Sequence, residues 1–99
     1  MIKNFLAYDL ALNLYRQVQT IESPAHTKDQ LQRAAQSIVL NLAEGSGKPT
    51  PKEKRRFYAI AFGSVREVQA CFAILEIQDK ALLDKVDHVA AVTYRLAYS

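Results

Sequence analysis

The sequence is poor in the residues that tight turns, disulfide bonds and membrane spans require. Three glycines and three prolines among 99 residues leave little room for a β-rich fold with many turns. A single cysteine, Cys71, excludes an internal disulfide bond and is typical of a protein from a reducing cytoplasm. No apolar run approaches the length of a membrane span, and no basic stretch followed by an apolar stretch opens the chain. We therefore expect a cytoplasmic protein with no membrane partner.

The sequence also lacks the clusters of ionisable residues that catalysis or metal binding requires. His26 and His88 have no partner motif nearby, and Cys71 has no companion ligand. The segment GSGKPT is not a phosphate-binding loop, because that motif needs a glycine where this chain has Leu42. We expect no catalytic residue, no metal, no cofactor and no enzyme activity.

The composition suits one folded domain. Apolar residues make up 49% of the chain and charged residues 23%, which is typical of a globular protein and not of a disordered one. A chain of this length can bury a single core. No internal repeat, low-complexity tract or linker divides it. We predict one domain over residues 1–99.

Periodic apolar residues predict two helices in the first half of the chain. The first runs from about Lys3 to Glu22 and ends before a proline. Its apolar stripe consists of Leu6, Leu10, Leu14, Val18 and Ile21. The second begins with Thr27 as N-cap and Gln30 completing a capping box, and it ends at Gly45 in a left-handed cap. Its stripe consists of Leu31, Ala35, Ile38 and Leu42.

Two further helices follow the glycine-rich segment. Thr50 as N-cap, Pro51 at the first helical position and Glu53 two residues later give the strongest helix start in the sequence. This third helix continues to about Asp79, and a fourth runs from about Leu82 to the last residue. Four helices with short connections predict an all-α protein, an antiparallel up-down-up-down four-helix bundle.

Positive charge is concentrated in one short segment. Between Lys48 and Arg56 there are five basic residues and one acid, which gives this segment four net positive charges, whereas the whole chain carries +3. Such a cluster can attract a phosphate backbone, although it is also typical of a solvated helix start. The candidate nucleic-acid-binding residues are Lys48, Lys52, Lys54, Arg55 and Arg66.

Apolar residues also occur away from the predicted core stripes. At about 100° per residue, they form a second apolar side on the first helix and single outward positions on the second and third. These residues are Phe5, Tyr8, Leu12, Tyr15, Leu40, Tyr58 and Phe62. A clustered second face favours a protein interface, and we predict a homo-oligomer that uses these residues.

A line of polar residues borders the core stripe of the second helix, and a matching line follows the third. Folding the two helices antiparallel would bring Glu44 level with Arg56 and Arg33 level with Glu67, around a small centre that includes Gly63. We interpret these lines as a structural seam that fixes helix register. The seam residues are Arg33, Ser37, Asn41, Glu44, Arg56, Gly63 and Glu67.

The segment RAAQSIVLNLAEGSGKPTPKEKRRFYAIAFGSVREV resembles the signature of the four-helix-bundle proteins encoded in intervening sequences of 23S ribosomal RNA genes. That signature reads approximately R-A-x-x-S-I-x-x-N-I-A-E-G, a basic loop, and R-F-x-x-I-A-x-G-S-x-x-E. Leu42 stands where isoleucine is common, and every other motif position matches. The resemblance implies a ring-shaped homo-oligomer, a pentamer, related to the accessory variability proteins of diversity-generating retroelements, which bind nucleic acid and a reverse transcriptase. It implies no catalytic residue.

Two functional hypotheses follow. The first is a non-catalytic oligomer that binds the backbone of RNA or DNA through the basic loop, with Tyr58 as the nearest aromatic residue for base stacking. The alternative is an oligomeric protein-interaction adaptor, whose ring docks a partner protein and binds no nucleic acid.

Overall fold

A computed structural model describes residues 2 and 5–99, and within these residues the chain forms four α-helices and no β-strand. The helices are α1 (Leu6–Val18), α2 (Ala25–Ser46), α3 (Pro51–Ile74) and α4 (Lys80–Tyr98). The predicted helix start at Lys3 lies outside the described residues. None of the described helices combines the length and the apolar character that a membrane crossing would need. The all-α fold class is thus confirmed.

Side-chain caps begin the last two helices. The hydroxyl of Thr50 accepts a hydrogen bond from the Glu53 N–H at 3.2 Å, as the capping-box pattern predicts. Pro51 follows at the first helical position, where its missing N–H leaves no bond unmade. The Asp79 carboxylate accepts from the Leu82 N–H at 3.2 Å, so α4 begins at Lys80, two residues before the predicted start.

The predicted start of α2 is wrong. Pro24, with φ −55° and ψ 144°, is the N-cap, and no side chain caps this end of the helix. Thr27 lies inside the first turn and is buried, so its hydroxyl cannot cap the helix with Gln30. The ψ of Pro24 makes the entry to the helix extended, and its ring fixes φ at a value that the helix also adopts.

The ends of α1 and α3 are also earlier than the sequence indicates. α1 ends at Val18 instead of Glu22, and α3 ends at Ile74 instead of Asp79. Beyond α3, Glu76 adopts a left-handed φ of 56°, and the Ile77 N–H bonds to the Phe72 carbonyl at 3.0 Å. This pattern is a Schellman cap, which stops a helix after satisfying its last carbonyls. Its usual glycine is absent here, and sequence alone gives no stop signal.

Gly45 does not cap α2 in a left-handed conformation, because the helix continues to Ser46 and none of the described glycines has a positive φ. Gly45 is instead buried against α3. A methyl group on its Cα would lie 2.7 Å from Cε1 of Tyr58 and 3.1 Å from Cβ of Phe57. Glycine is required at this position because two helices approach closely, and not because of its backbone angles.

The apolar stripe of α2 is confirmed, since Leu31, Ala35, Ile38 and Leu42 are fully buried. The stripe of α1 is only partly right. Its buried residues are Ala7, Ala11, Leu14 and Val18, whereas Leu6 is 62% exposed and Leu10 is half-buried. The small alanine side chains bring α1 close to its neighbours. A prediction that gives most weight to large apolar side chains places the buried face of α1 nearer to the leucines than it is.

Each helix packs on the next along the chain, and α1 also packs on α4, so the helices surround one core. The molecule measures 40 × 22 × 21 Å. Between α2 and α3, Gly45 meets Tyr58 near the connecting loop, and Ser37 meets Ser64 farther from it. The sequence separation of these contacts grows away from the loop, as in a helical hairpin. This hairpin carries the basic segment at its closed end.

Candidate nucleic-acid interface

The basic segment occupies the closed end of the α2–α3 hairpin, and two of its lysines are held by contacts within the chain. The Lys54 ammonium donates a hydrogen bond to the Ser46 carbonyl at 2.9 Å, which satisfies the last turn of α2. The Lys48 ammonium lies 3.4 Å from the Glu44 carboxylate and 5.0 Å from the centre of the Phe57 ring. These two predicted nucleic-acid-binding residues therefore support the loop.

Three other cations of this segment are exposed: Lys52, Arg55 and Arg56. Lys52 lies in the first turn of α3, where the helix macrodipole opposes a positive charge and Glu53 is the only acid. Arg55 and Arg56 lie three and four residues after Lys52, on the same side of the helix. Like charges at these spacings repel by a few tenths of a kcal/mol per pair, about 0.2–0.5. The arrangement is unfavourable for the free helix and favourable for binding an anion.

Arg66 is exposed but lies three turns along α3 from Arg55, about 16 Å along the helix axis. Its guanidinium donates to the Gln69 side-chain oxygen at 3.1 Å, and the Gln69 amide donates to Asp87 at 3.2 Å. This chain of bonds holds Arg66 on the α4 side of α3. The structure therefore separates Arg66 from the cations at the hairpin end.

Tyr58 cannot serve as a stacking residue or as an outward interface residue, because only 8% of it is exposed. Its ring packs on Gly45 and lies 5.9 Å from the Phe5 ring, at an angle of 56°. Burial raises the pKa of the Tyr58 phenol above its ordinary value of 10.0. The helical wheel places Tyr58 off the stripe of α3, but the glycine on α2 opens a space that the ring fills.

The polar seam forms only at its centre. Ser37 and Ser64 share a hydrogen bond of 2.8 Å between their hydroxyls, and the Asn41 amide donates to the Ser37 carbonyl at 2.8 Å. Gly63 is not part of a close contact, since no atom of residues 2 and 5–99 lies within 4 Å of the place where its Cβ would be. The residue of α3 that contacts Ser37 is therefore Ser64, one position after the Gly63 of the predicted seam.

The charged ends of the seam do not pair as the sequence indicates. Glu44 forms its ion pair with Lys48, four residues further along the sequence, and not with Arg56. Throughout residues 2 and 5–99, Arg33 and Glu67 make no ion pair with each other. All four predicted pairing residues are exposed, because α2 and α3 direct them outward from the contact between the helices: Arg33, Glu44, Arg56 and Glu67.

Large apolar residues lie beside these charges. Leu40 on α2 is 59% exposed, and Ile60 on α3 is 46% exposed. At about 100° per residue, both project to the outer side of the Ser37–Ser64 contact, as Gly63 does. We call this surface the outer groove and define it by Leu40, Ile60 and Gly63, with the four seam charges around it.

The remaining predicted interface residues have mixed positions. Phe5 and Tyr15 pack against the core of their own chain. Tyr8, Leu12 and Phe62 are half-buried. The residues that keep outward apolar surface are thus fewer than the sequence predicts, and exposed Leu6 joins them because the core face of α1 is rotated.

An aromatic cluster on α3 and α4 was not predicted from the sequence. The ring of Phe62 lies 5.4 Å from Tyr94 and 6.2 Å from Tyr98, and the two tyrosine rings are 5.0 Å apart. Tyr94 is 54% exposed and Tyr98 57%. The spacing of four residues between the tyrosines could have indicated a shared helix face.

The described residues contain no group of three His, Cys, Asp or Glu side chains that could hold a metal ion. Cys71 is a free cysteine, buried in the core. Burial, and secondly the negative charge of Glu67, raise the pKa of the Cys71 thiol. A thiol in this setting is a small core side chain that is inert at neutral pH.

Comparison with known proteins identifies the family. The family model described as 23S rRNA-intervening sequence protein matches residues 5–92, which include all of α1, α2 and α3 and most of α4. No curated protein and no solved structure matches the chain. Because the family match covers most of the sequence, this four-helix chain belongs to the 23S rRNA-intervening sequence protein family.

Proposed function

We propose that the chain is a non-catalytic homo-oligomer that binds the phosphate backbone of RNA or DNA through the exposed cations at the start of α3. Its four helices follow an antiparallel up-down-up-down order, and the copies form a ring, which the family resemblance implies to be a pentamer. The single buried cysteine suits a reducing cytoplasm, where we place this activity.

One observation is the main support for the nucleic-acid proposal: the exposed cations at the start of α3 lie at positions where they destabilise that helix. Lys52 opposes the macrodipole of α3, and Arg55 and Arg56 repel it at helical spacing. None of these three side chains forms an ion pair within the part of the chain that the structure describes. A polyanion would remove both penalties, which makes the start of α3 an electrostatic site for a phosphate backbone.

Self-association is supported by the outer groove. Leu40 and Ile60 form an apolar centre, and Gly63 leaves the α3 backbone open to close approach. A glycine inside a helix lowers stability by about 1 kcal/mol relative to alanine and is usually compensated by a neighbouring backbone. None of the residues that the structure describes fills that space. A second copy in the groove would fill it, and the surrounding charges of both signs could pair between copies.

Nucleic-acid binding is tested by fluorescence anisotropy with labelled single-stranded RNA, structured RNA and duplex DNA over a range of salt concentrations. The variant Lys52→Glu with Arg55→Glu should abolish binding, because it reverses two exposed charges and leaves the lysines that support the loop. The control variant, Arg16→Glu with Lys28→Glu, makes the same charge change at other sites and should retain binding. Affinity that does not change with salt would contradict the proposal.

The oligomer is tested by light scattering. The wild-type protein should have a mass several times that of one chain, which is 11.1 kDa. The variant Leu40→Gln with Ile60→Gln should dissociate it, because both side chains lie in the outer groove. Ile74→Gln changes a residue that is 70% exposed on the same helix as Ile60 and serves as the control. A monomeric wild-type chain would refute the ring.

A protein-interaction adaptor is the second candidate, and exposure of Leu40 and Ile60 is the observation that favours it. The two proposals differ in what covers the outer groove. If the groove is buried in the homo-oligomer, it offers no docking surface to another protein. An oligomer of wild-type mass that still forms after Leu40→Gln and Ile60→Gln, and that fails to bind any nucleic acid, would favour the adaptor.

A further inference from the structure

The cluster of Phe62, Tyr94 and Tyr98 is a surface that backbone binding alone does not require. Its two tyrosines expose more than half of their area, although three aromatic rings in mutual contact could have been buried in a core. Phe62 is half-buried and meets both tyrosines edge-on, at 69° and 89°. Phe62 therefore supports two tyrosine rings from below and leaves their outer surfaces in solvent.

The cluster lies between cations on the same side of α3. Arg55 precedes Phe62 by seven residues, which is about two helical turns and nearly the same angular position. Arg66 follows Phe62 by four residues and is therefore its neighbour on the helix surface. The bond from Arg66 to Gln69 holds the guanidinium near this surface. A positively charged group thus stands on each side of the aromatic rings.

The stretches of α3 and α4 that carry the rings contain no acidic residue. The sequence has no Asp or Glu between Lys54 and Arg66 on α3, and none after Asp87 on α4. Asp87 itself accepts a hydrogen bond from Gln69. The surface combines exposed aromatic rings with positive charge and little negative charge, which is the chemistry that attracts bases and phosphates together.

We infer that Tyr94 and Tyr98 form a stacking platform for the bases of a single-stranded nucleic acid, with Arg55 and Arg66 on its phosphates. This inference rests on the proposed nucleic-acid binding and specifies its substrate. The tyrosine rings are tilted by 49° to each other, so each can offer its own face to one base. A duplex keeps its bases paired and stacked, and it can use only the charges.

The experiment compares binding of a single strand of uridines with binding of a DNA duplex by the wild-type protein, at one salt concentration. The variant Tyr94→Ala with Tyr98→Ala should weaken single-strand binding at least about fivefold for each ring removed. Duplex affinity should be unchanged. Tyr94→Phe with Tyr98→Phe keeps the ring faces and should retain single-strand binding, which guards against a loss caused by misfolding.

The outcomes separate this inference from the function on which it rests. If the alanine variant binds the single strand as the wild type does, while Lys52→Glu with Arg55→Glu still abolishes binding, the platform is refuted and the backbone site stands. If the wild type binds neither nucleic acid, both proposals fail. If the alanine variant loses its oligomeric mass, the tyrosines belong to an interface between copies, and the platform is again refuted.

Discussion

Gly45 and Gly63 lie inside neighbouring helices but have opposite surroundings. Gly45 is buried, and its Cα faces the Tyr58 ring. Gly63 is exposed, and none of the described residues packs beside it. Helix propensity treats the two alike, since each glycine weakens a helix by about 1 kcal/mol relative to alanine. The fold of one chain therefore requires glycine at position 45 and does not require it at position 63.

We expect Gly45→Ala to destabilise the protein by about 1–3 kcal/mol, because the added methyl group would overlap the Tyr58 ring and force the helices apart. Gly63→Ala is the matched control and should stabilise the unassembled chain by about 0.5–1 kcal/mol. Urea unfolding at low protein concentration measures both effects. Equal stability changes for the two variants would contradict the close contact between α2 and α3.

Tyr58 makes stability depend on pH in the alkaline range. Burial raises the pKa of its phenol in the folded chain, so the unfolded chain loses this proton first. The contribution of Tyr58 to the free energy of unfolding should therefore be constant while the pH is below 10.0, the ordinary pKa of a tyrosine, and should fall as the pH rises above it. Tyr58→Phe keeps the ring against Gly45 and removes the ionisable group. In unfolding experiments, the difference between Tyr58→Phe and wild type should grow in favour of the variant above about pH 10. Parallel curves would show that Tyr58 does not contribute.

At the scale of elements, the buried face of α2 was predictable and that of α1 only partly so. The stripe of α2 combines large side chains with regular spacing, so its buried face can be read directly. In α1 the buried face contains Ala7 and Ala11, and small residues give a weak signal beside leucines. The Schellman end of α3 was hidden because its left-handed residue is Glu76.

The polar seam also could be predicted only in part from the sequence. Spacing along α2 and α3 correctly indicates that Ser37 lies at the contact between the helices. Spacing does not fix the rotation of α3 about its own axis. A rotation by one residue position brings Ser64 instead of Gly63 to the contact with Ser37. The same uncertainty moves the charged residues from a predicted seam to the exposed edge of the outer groove. Tyr94 and Tyr98 come next to Phe62 only through the packing of α4 on α3.

A double-mutant cycle distinguishes the two versions of the seam. Ser37→Ala and Ser64→Ala should be coupled by about 0.5–1.5 kcal/mol, because each removes one partner of the same hydrogen bond. Glu44→Ala and Arg56→Ala should be coupled by less than about 0.5 kcal/mol, since Glu44 pairs with Lys48 instead. Chemical denaturation of the single and double variants measures both terms. Strong coupling of Glu44 with Arg56 would restore the ion pair that the sequence predicts.

At the scale of the whole molecule, the proposed activities occupy different surfaces of one hairpin and its neighbour. The outer groove lies on the α2 side of α3, whereas the aromatic cluster lies on its α4 side. The exposed cations lie at the start of α3, and one of them, Arg56, borders the outer groove. Assembly through the groove would repeat the cations in every copy and leave the aromatic cluster open. Weak binding by one copy would then become strong through several simultaneous contacts.

This arrangement predicts how the salt dependence of binding changes with assembly. The logarithm of the binding constant falls with the logarithm of salt concentration, with a slope of about −0.9 for each phosphate neutralised on duplex DNA. If several copies bind one duplex, the wild-type oligomer should have a steeper slope than the Leu40→Gln, Ile60→Gln variant. That variant carries no charge change, so a shallower slope would come from lost copies and not from lost cations. Ile74→Gln should keep the wild-type slope. An equal slope and an equal affinity for a monomeric groove variant would mean that one copy provides the whole binding site, and the ring would then have no role in affinity.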